Sequence, residues 1–193
     1  GIKVEPEKMA ITGVVLVVVV VGLLVGVSVF AFEPTENTGN HSTITEITPD
    51  RDLLDLGLQI PSNWEFDMAD GSTLTISDLD GKIILVDLMA TWCSTCTIQN
   101  EYLQTAYDSL AGPLVILSLT VDRSETVGMM LDYQTDRGLP WDHGLDTDSK
   151  FTSYFSVTQV PTLVLIDSDG YFRYVHVGTW SAAVISDKVT SII

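Results

Sequence analysis

A chain of 193 residues has room for one domain with additions, and 46% hydrophobic residues suffice for a core, although one apolar block near the N-terminus inflates that figure. With 26 acidic against 9 basic residues the net charge is −17, which repels phosphate backbones and excludes nucleic acid as an expected partner. So dense a carboxylate surface, poor in lysine, also suits solubility at high salt.

Residues 1–8 are polar and include Lys3 and Lys8; residues 9–32 carry no charge and are rich in Val, Leu, Gly and Ala. At about 1.5 Å per residue this block reaches some 36 Å, against a hydrocarbon core of about 30 Å, and predicts a transmembrane anchor. The alternative is a cleaved signal peptide, with Val29-Phe30-Ala31 as a small-residue cleavage site. Signal h-regions run only about 7–15 residues, however. Lys3 and Lys8 before the span, and Glu33 and Glu36 after it, place residues 1–8 in the cytoplasm and everything beyond 32 outside, where disulfides persist. Residues 33–60, rich in Thr, Glu and Asn, read as a linker with a short ordered stretch near Leu53–Leu58. Asn40-His41-Ser42 has the spacing of an N-glycosylation acceptor.

From residue 61 the pattern becomes that of a folded domain. Alternation over 64–76 around Asp70-Gly71 predicts a hairpin. Leu79-Asp80-Gly81-Lys82 then turns into the apolar run 83–88, interrupted only by Asp87, and the run leads into Trp92-Cys93-Ser94-Thr95-Cys96. Beyond Cys96 a helical pattern follows, with Ile98, Tyr102 or Leu103, Ala106 and Leu110 on one face and Gly112-Pro113 as its stop. Cys93 therefore stands at a helix N-terminus, where free amides and the helix dipole favour an anion. Such a setting lowers a thiol pKa from about 8.5 to roughly 3.5–7.5. Cys96, one turn on, is within reach to close a disulfide onto Cys93. A structural zinc site needs about four Cys or His ligands; this chain has two cysteines, and His41, His143 and His176 show no ligand spacing. A loop this short gives a structural disulfide little to stabilise. The dithiol is thus read as redox-active, with no metal and no cofactor beyond the cysteine pair. An unpaired carboxylate inside an apolar strand should have a raised pKa, which suits Asp87 to taking the Cys96 proton and returning it.

Residues 114–121 form a second continuous apolar strand, as in a sheet covered on both faces. Ser124 is expected to cap a helix carrying Val127, Met130 and Leu131 and ending near Gly138, and Asp148 or Ser149 to open a short helix through Phe155. Strands at 162–166 and 171–177 flank Asp167-Ser168-Asp169-Gly170 as a hairpin, and a last helix covers 182–192. This order predicts an α/β sandwich on a mixed sheet. His143 and His176 are read as surface or satisfied polar residues.

The segment from Val86-Asp87 through Trp92-Cys93-Ser94-Thr95-Cys96 resembles the active site of thioredoxin. Phe66-x-Met68-x-Asp70-Gly71, Leu79-x-Gly81-Lys82, Val121-Asp122, Val160-Pro161-Thr162 and Ile166-Asp167-x-Asp169-Gly170 extend the likeness to the membrane-anchored TlpA/ResA-type branch of thioredoxin-like proteins, from about residue 61 to 193. The resemblance implies a thioredoxin fold, with an N-terminal hairpin extending its sheet. It implies Cys93 as nucleophile, Cys96 as the resolving thiol and Asp87 as proton acceptor, although Ser118 aligns where thioredoxin has a basic residue. It further implies a cis Pro161, a Val160 backbone that pairs with extended substrate, and Trp92 as an apolar lip beside Cys93. The expected activity is reduction of protein disulfides, in cytochrome c maturation or metal-site assembly, with a membrane electron donor for recycling. The rival readings are a disulfide-forming oxidant of the same fold and a non-enzymatic copper-binding assembly factor.

Overall fold

Ile83–Met89 is buried at every position and forms the strand from which the rest of the domain is laid out. Such a strand must be covered on both faces, and its odd and even residues enter two different cores. The computed structural model describes residues 51–53, 56–110, 112 and 114–193. The anticipated anchor at 9–32, its flanking charges and the Asn40 triplet lie outside them. Among the described residues no helix is long and apolar enough to cross a membrane.

In chain order the elements are β1 (Arg51–Asp52), β2 (Glu65–Asp67), β3 (Thr73–Thr75), β4 (Ile83–Met89), α1 (Ser94–Ser109), β5 (Leu114–Thr120), α2 (Val127–Arg137), β6 (Asp142–Leu145), α3 (Lys150–Tyr154), β7 (Thr162–Ile166), β8 (Phe172–Val177) and α4 (Ala182–Thr190). The main sheet has six strands in the order β1-β8-β7-β4-β5-β6. β4, β5 and β6 run parallel, while β7 is antiparallel to β4 and to β8. The mixed sheet read from the sequence is therefore present. Ile83, Leu85 and Met89 point into one core with Leu103 and Ala106 of α1, Met130 and Tyr133 of α2, and Ile185 and Val189 of α4. Ile84, Val86 and Leu88 point into the other, with Phe66 of β2 and Phe151 of α3. Asp87 takes its place in the first series, between Leu85 and Met89, on the face that also holds Cys93 and Cys96.

Several expectations change in detail. The 64–76 hairpin forms, but β2 and β3 make a separate two-stranded sheet. It meets the main sheet at its β6 edge, through a bridge between Met68 and Gly144 and a bond from Ala69 N–H to His143 O of 2.8 Å. Gly144 permits this approach: a Cβ there would lie 2.7 Å from the Asp67 carbonyl oxygen. The folded region starts before residue 61, because β1 pairs with β8 and Leu53 is fully buried. The α2 N-cap is Thr126, whose hydroxyl accepts from Met129 N–H at 3.3 Å; the Ser124 hydroxyl instead donates to Asp122 at 2.7 Å. Gly138 ends that helix in the left-handed conformation. Ser149 opens α3 as its N-cap, as the sequence suggested, but the amides of Phe151 and Thr152 are taken by the Asp146 carboxylate at 2.9 and 2.8 Å. On α1, Ile98 is half exposed, and the buried face is Cys96, Gln99, Asn100, Leu103 and Ala106.

Candidate active site

The loop Ala90–Trp92 carries the chain from the C-terminal end of β4 to the N-terminus of α1. Cys93 is the N-cap of that helix, and its sulfur accepts a hydrogen bond from Cys96 N–H at 3.1 Å. Cys93 and Cys96 are joined as a disulfide with a Cα–Cα distance of 5.3 Å. Cys93 retains a trace of exposure (6%), whereas Cys96 has none. The two thiols are therefore unequal: one faces the surface at the positive end of a helix, and the other is sealed beneath it. When the pair is reduced, the Cys96 N–H and the helix terminus both favour a thiolate on Cys93.

The Val160–Pro161 peptide bond is cis. The Val160 carbonyl oxygen lies 3.8 Å from Cys93 Sγ, so the loop before β7 abuts the outer of the two sulfurs. Trp92 is 69% exposed, yet its ring is held, because Nε1–H donates to Asp122 Oδ2 at 2.7 Å. The Asp122 carboxyl lies below its usual pKa through the Ser124 hydroxyl and, next, the Trp92 indole.

Asp87 has no exposure, and burial pushes its pKa up to about 7, opposed only by one hydrogen bond from Ser118. Ser118 is its register partner on β5 and donates to Oδ2 at 3.0 Å. Oδ1 has no hydrogen-bond partner. Ser118, which the sequence reading aligned with thioredoxin's basic residue, thus offers Asp87 a neutral hydroxyl. His143, predicted as a surface or satisfied polar residue, is 1% exposed; its Nδ1 lies 2.9 Å from the Trp141 carbonyl oxygen, and burial pushes its pKa down to about 4. Among the described residues no group of three or more His, Cys, Asp or Glu is placed to hold a metal ion.

Sequence reasoning missed two supports. Glu125 is 5% exposed and accepts from both the amide and the hydroxyl of Thr91, at 2.9 and 2.6 Å, tying the loop before the cysteines to the segment after β5. Gln99 is fully buried and clasps the backbone of Trp180, donating to its carbonyl at 3.2 Å and accepting from its N–H at 2.9 Å. Neither carries a local signal, since both sit in runs of polar residues.

The Redoxin family model matches residues 55–188. Thiol-disulfide oxidoreductase ResA of Bacillus subtilis (strain 168) is 26% identical over 131 residues, covering 67% of this chain and 72% of that protein. Thiol:disulfide interchange protein DsbE of Tatumella citrea is 32% identical over 113 residues, covering 58% of each. Among solved structures, a DsbF homologue from Corynebacterium diphtheriae superposes with a TM-score of 0.63 at 17% identity, over 75% of this chain and 93% of that one, and shares the fold. A family match over most of the chain, with the cysteine pair at the head of α1, makes this protein a member of the Redoxin family and a thiol-disulfide oxidoreductase of the ResA/DsbE type.

Proposed function

We propose that this oxidoreductase is held at the outer face of a membrane by residues 9–32 and works there as a reductant of protein disulfides. The observation that supports thiol-disulfide exchange at this site is the pairing of a sealed Cys96 with a buried carboxylate, Asp87, on the same side of β4. Run as a reductant, the protein turns a buried thiol into a nucleophile once per cycle, and a base with a pKa near neutrality suits that task; run in reverse, the same group returns the proton. The relatives' names, thiol-disulfide oxidoreductase and thiol:disulfide interchange protein, support thiol-disulfide exchange as the chemistry.

In the forward direction the Cys93 thiolate attacks one sulfur of a substrate disulfide, and the other leaves as a thiolate. The result is a mixed disulfide at Cys93. The extended substrate segment runs beside cis-Pro161, where the Val160 backbone pairs with it, and the fixed ring of Trp92 walls the other side. Asp87 then takes the Cys96 proton; the Cys96 thiolate attacks Cys93 Sγ, releasing the second substrate thiolate and closing the Cys93–Cys96 disulfide. Two electrons pass from the protein to the substrate. A membrane electron donor returns them.

The reduction potential of the Cys93–Cys96 couple tests the direction. Related folds span about −270 mV for a reductant to −120 mV for an oxidant, and ~30 mV equals about 1.4 kcal/mol for two electrons. A value near −270 mV supports the proposal, and one near −120 mV assigns the chain to disulfide formation. The anchor is tested separately, by carbonate extraction of membranes from cells expressing the full chain; release of the protein into the soluble fraction refutes it.

A further inference from the structure

We propose that Trp141 and Ser118 form a one-way hydrogen-bond donor chain onto Asp87, which occupies Oδ2 permanently and leaves Oδ1 as the carboxylate atom that exchanges a proton with Cys96. This rests on the reading of Asp87 as the base and adds two positioning residues, neither of which touches the reacting sulfurs.

An indole N–H can only donate, and Trp141 Nε1 donates to Ser118 Oγ at 2.9 Å. A serine hydroxyl has one proton. With its oxygen accepting from Trp141, that proton is directed to Asp87 Oδ2, at 3.0 Å. Ser118 is fully buried and Trp141 nearly so (3%), so water does not compete for either group. The indole is itself fixed. It stacks on His143 at 5.8 Å and 22°, and the Trp141 carbonyl accepts from Gln134 Nε2 at 2.8 Å.

The chain holds in both protonation states of Asp87. Ionised, the carboxylate accepts from Ser118 through Oδ2. Protonated, it keeps Oδ2 as the carbonyl-like acceptor and carries its hydrogen on Oδ1, the oxygen without a partner. Oδ1 is therefore the oxygen left open to receive the proton that Cys96 Sγ gives up during resolution. A lysine at position 118 would also orient the carboxylate, but its charge would pull the carboxyl pKa down. Two neutral donors orient it while leaving it basic. The titratable groups on this side of the sheet are Cys93 and Cys96 of α1, Tyr133 of α2 and His143, the register partner of Ser118 on β6. Its register partner on β7 is the apolar Leu163, and no charged side chain shifts it.

The test uses the reduced full chain in detergent and Ellman's reagent. The reagent loads Cys93 and releases one coloured thiolate; attack by Cys96 releases a second, whose rate is followed from pH 5 to 9. The wild type should show a midpoint near 7 in this second phase. Ser118→Ala should move the midpoint up by about one pH unit, because a hydrogen bond to the ionised form is lost. Trp141→Phe should move it the same way by less, and Ser118→Thr should leave it in place. An unmoved midpoint in Ser118→Ala, with near-ultraviolet circular dichroism showing native packing, overturns the donor chain. Asp87→Asn separates the two levels of the argument. If the midpoint persists in that variant, Asp87 is not the base and both readings fall. If it vanishes there while Ser118→Ala leaves it unmoved, the donor chain alone falls.

Discussion

Asp87→Asn should change how stability depends on pH, and the sign follows from where the proton sits. In the unfolded chain the carboxyl ionises near 3.8; in the folded chain burial holds it protonated to about 7. Between these values unfolding releases a proton, so wild-type stability falls as pH rises, and above ~7 the loss is complete. A shift of about three units at 1.36 kcal/mol each gives a penalty of about 4 kcal/mol at neutral pH. His143 works in the opposite sense. Its folded pKa of about 4 lies below the ordinary 6.5, so its contribution is present above ~6.5 and lost as pH falls towards ~4, a swing of about 3 kcal/mol. In the wild type the two slopes nearly cancel from pH ~4 to ~6.5. Asparagine keeps the shape and the acceptor for Ser118 but cannot ionise, so it uncovers the His143 slope. The assay is urea unfolding of the oxidised protein at pH 5 to 8, followed by circular dichroism. The stability of Asp87→Asn minus that of wild type should rise by about 1.4 kcal/mol per pH unit up to ~7 and then level off. A difference that stays constant over this range refutes the buried, protonated Asp87.

Gly144→Ala should lower stability by roughly 1–3 kcal/mol in the same urea assay, because the added methyl meets backbone 2.7 Å away; an unchanged midpoint would mean that the β2–β3 hairpin does not press on β6 as described. Glu125→Ala leaves the Thr91 amide and hydroxyl without their acceptor, at a cost of about 1–3 kcal/mol, and loosens the loop that presents Cys93. It should therefore slow the first Ellman phase as well as reduce stability, and wild-type values for both would remove Glu125 from the site. With a net charge of −17, stability should rise from low to molar salt as carboxylate repulsion is screened, and an unfolding midpoint insensitive to salt would contradict this.

The parts of the fold that the sequence made plain are those in which one residue's surroundings dictate its type. β4 and β5 lie between two cores, so each reads as an apolar run, and Asp87 and Ser118 stand out against it. The cysteine pair announces itself by its spacing and by the strand before it. β6 does not: Asp142-His143-Gly144-Leu145 has no apolar period, since its place comes from pairing with β5 on one side and the hairpin on the other. The buried face of α1 was misplaced because it is partly polar. Gln99 and Asn100 are buried with the Trp180 backbone and the Tyr133 hydroxyl as partners, contacts that residues 81 and 33 positions away supply. Ser124 and Thr126 are both good caps by type; Thr126 takes the role because the neighbouring Asp122 claims the Ser124 hydroxyl. Glu125 sits in a polar run that reads as a solvated turn, and only the fold brings Thr91 to it.

The division of labour between the two sulfurs is tested most directly by single-cysteine variants mixed with a disulfide-bonded protein substrate, such as insulin, and resolved by mass spectrometry without reductant. Cys96→Ser should accumulate a mixed disulfide between Cys93 and the substrate, since the sulfur at the helix N-cap attacks and nothing resolves it. Cys93→Ser, whose remaining thiol is fully buried, should form none. The opposite pattern, with adducts on Cys96 and none on Cys93, would contradict the account.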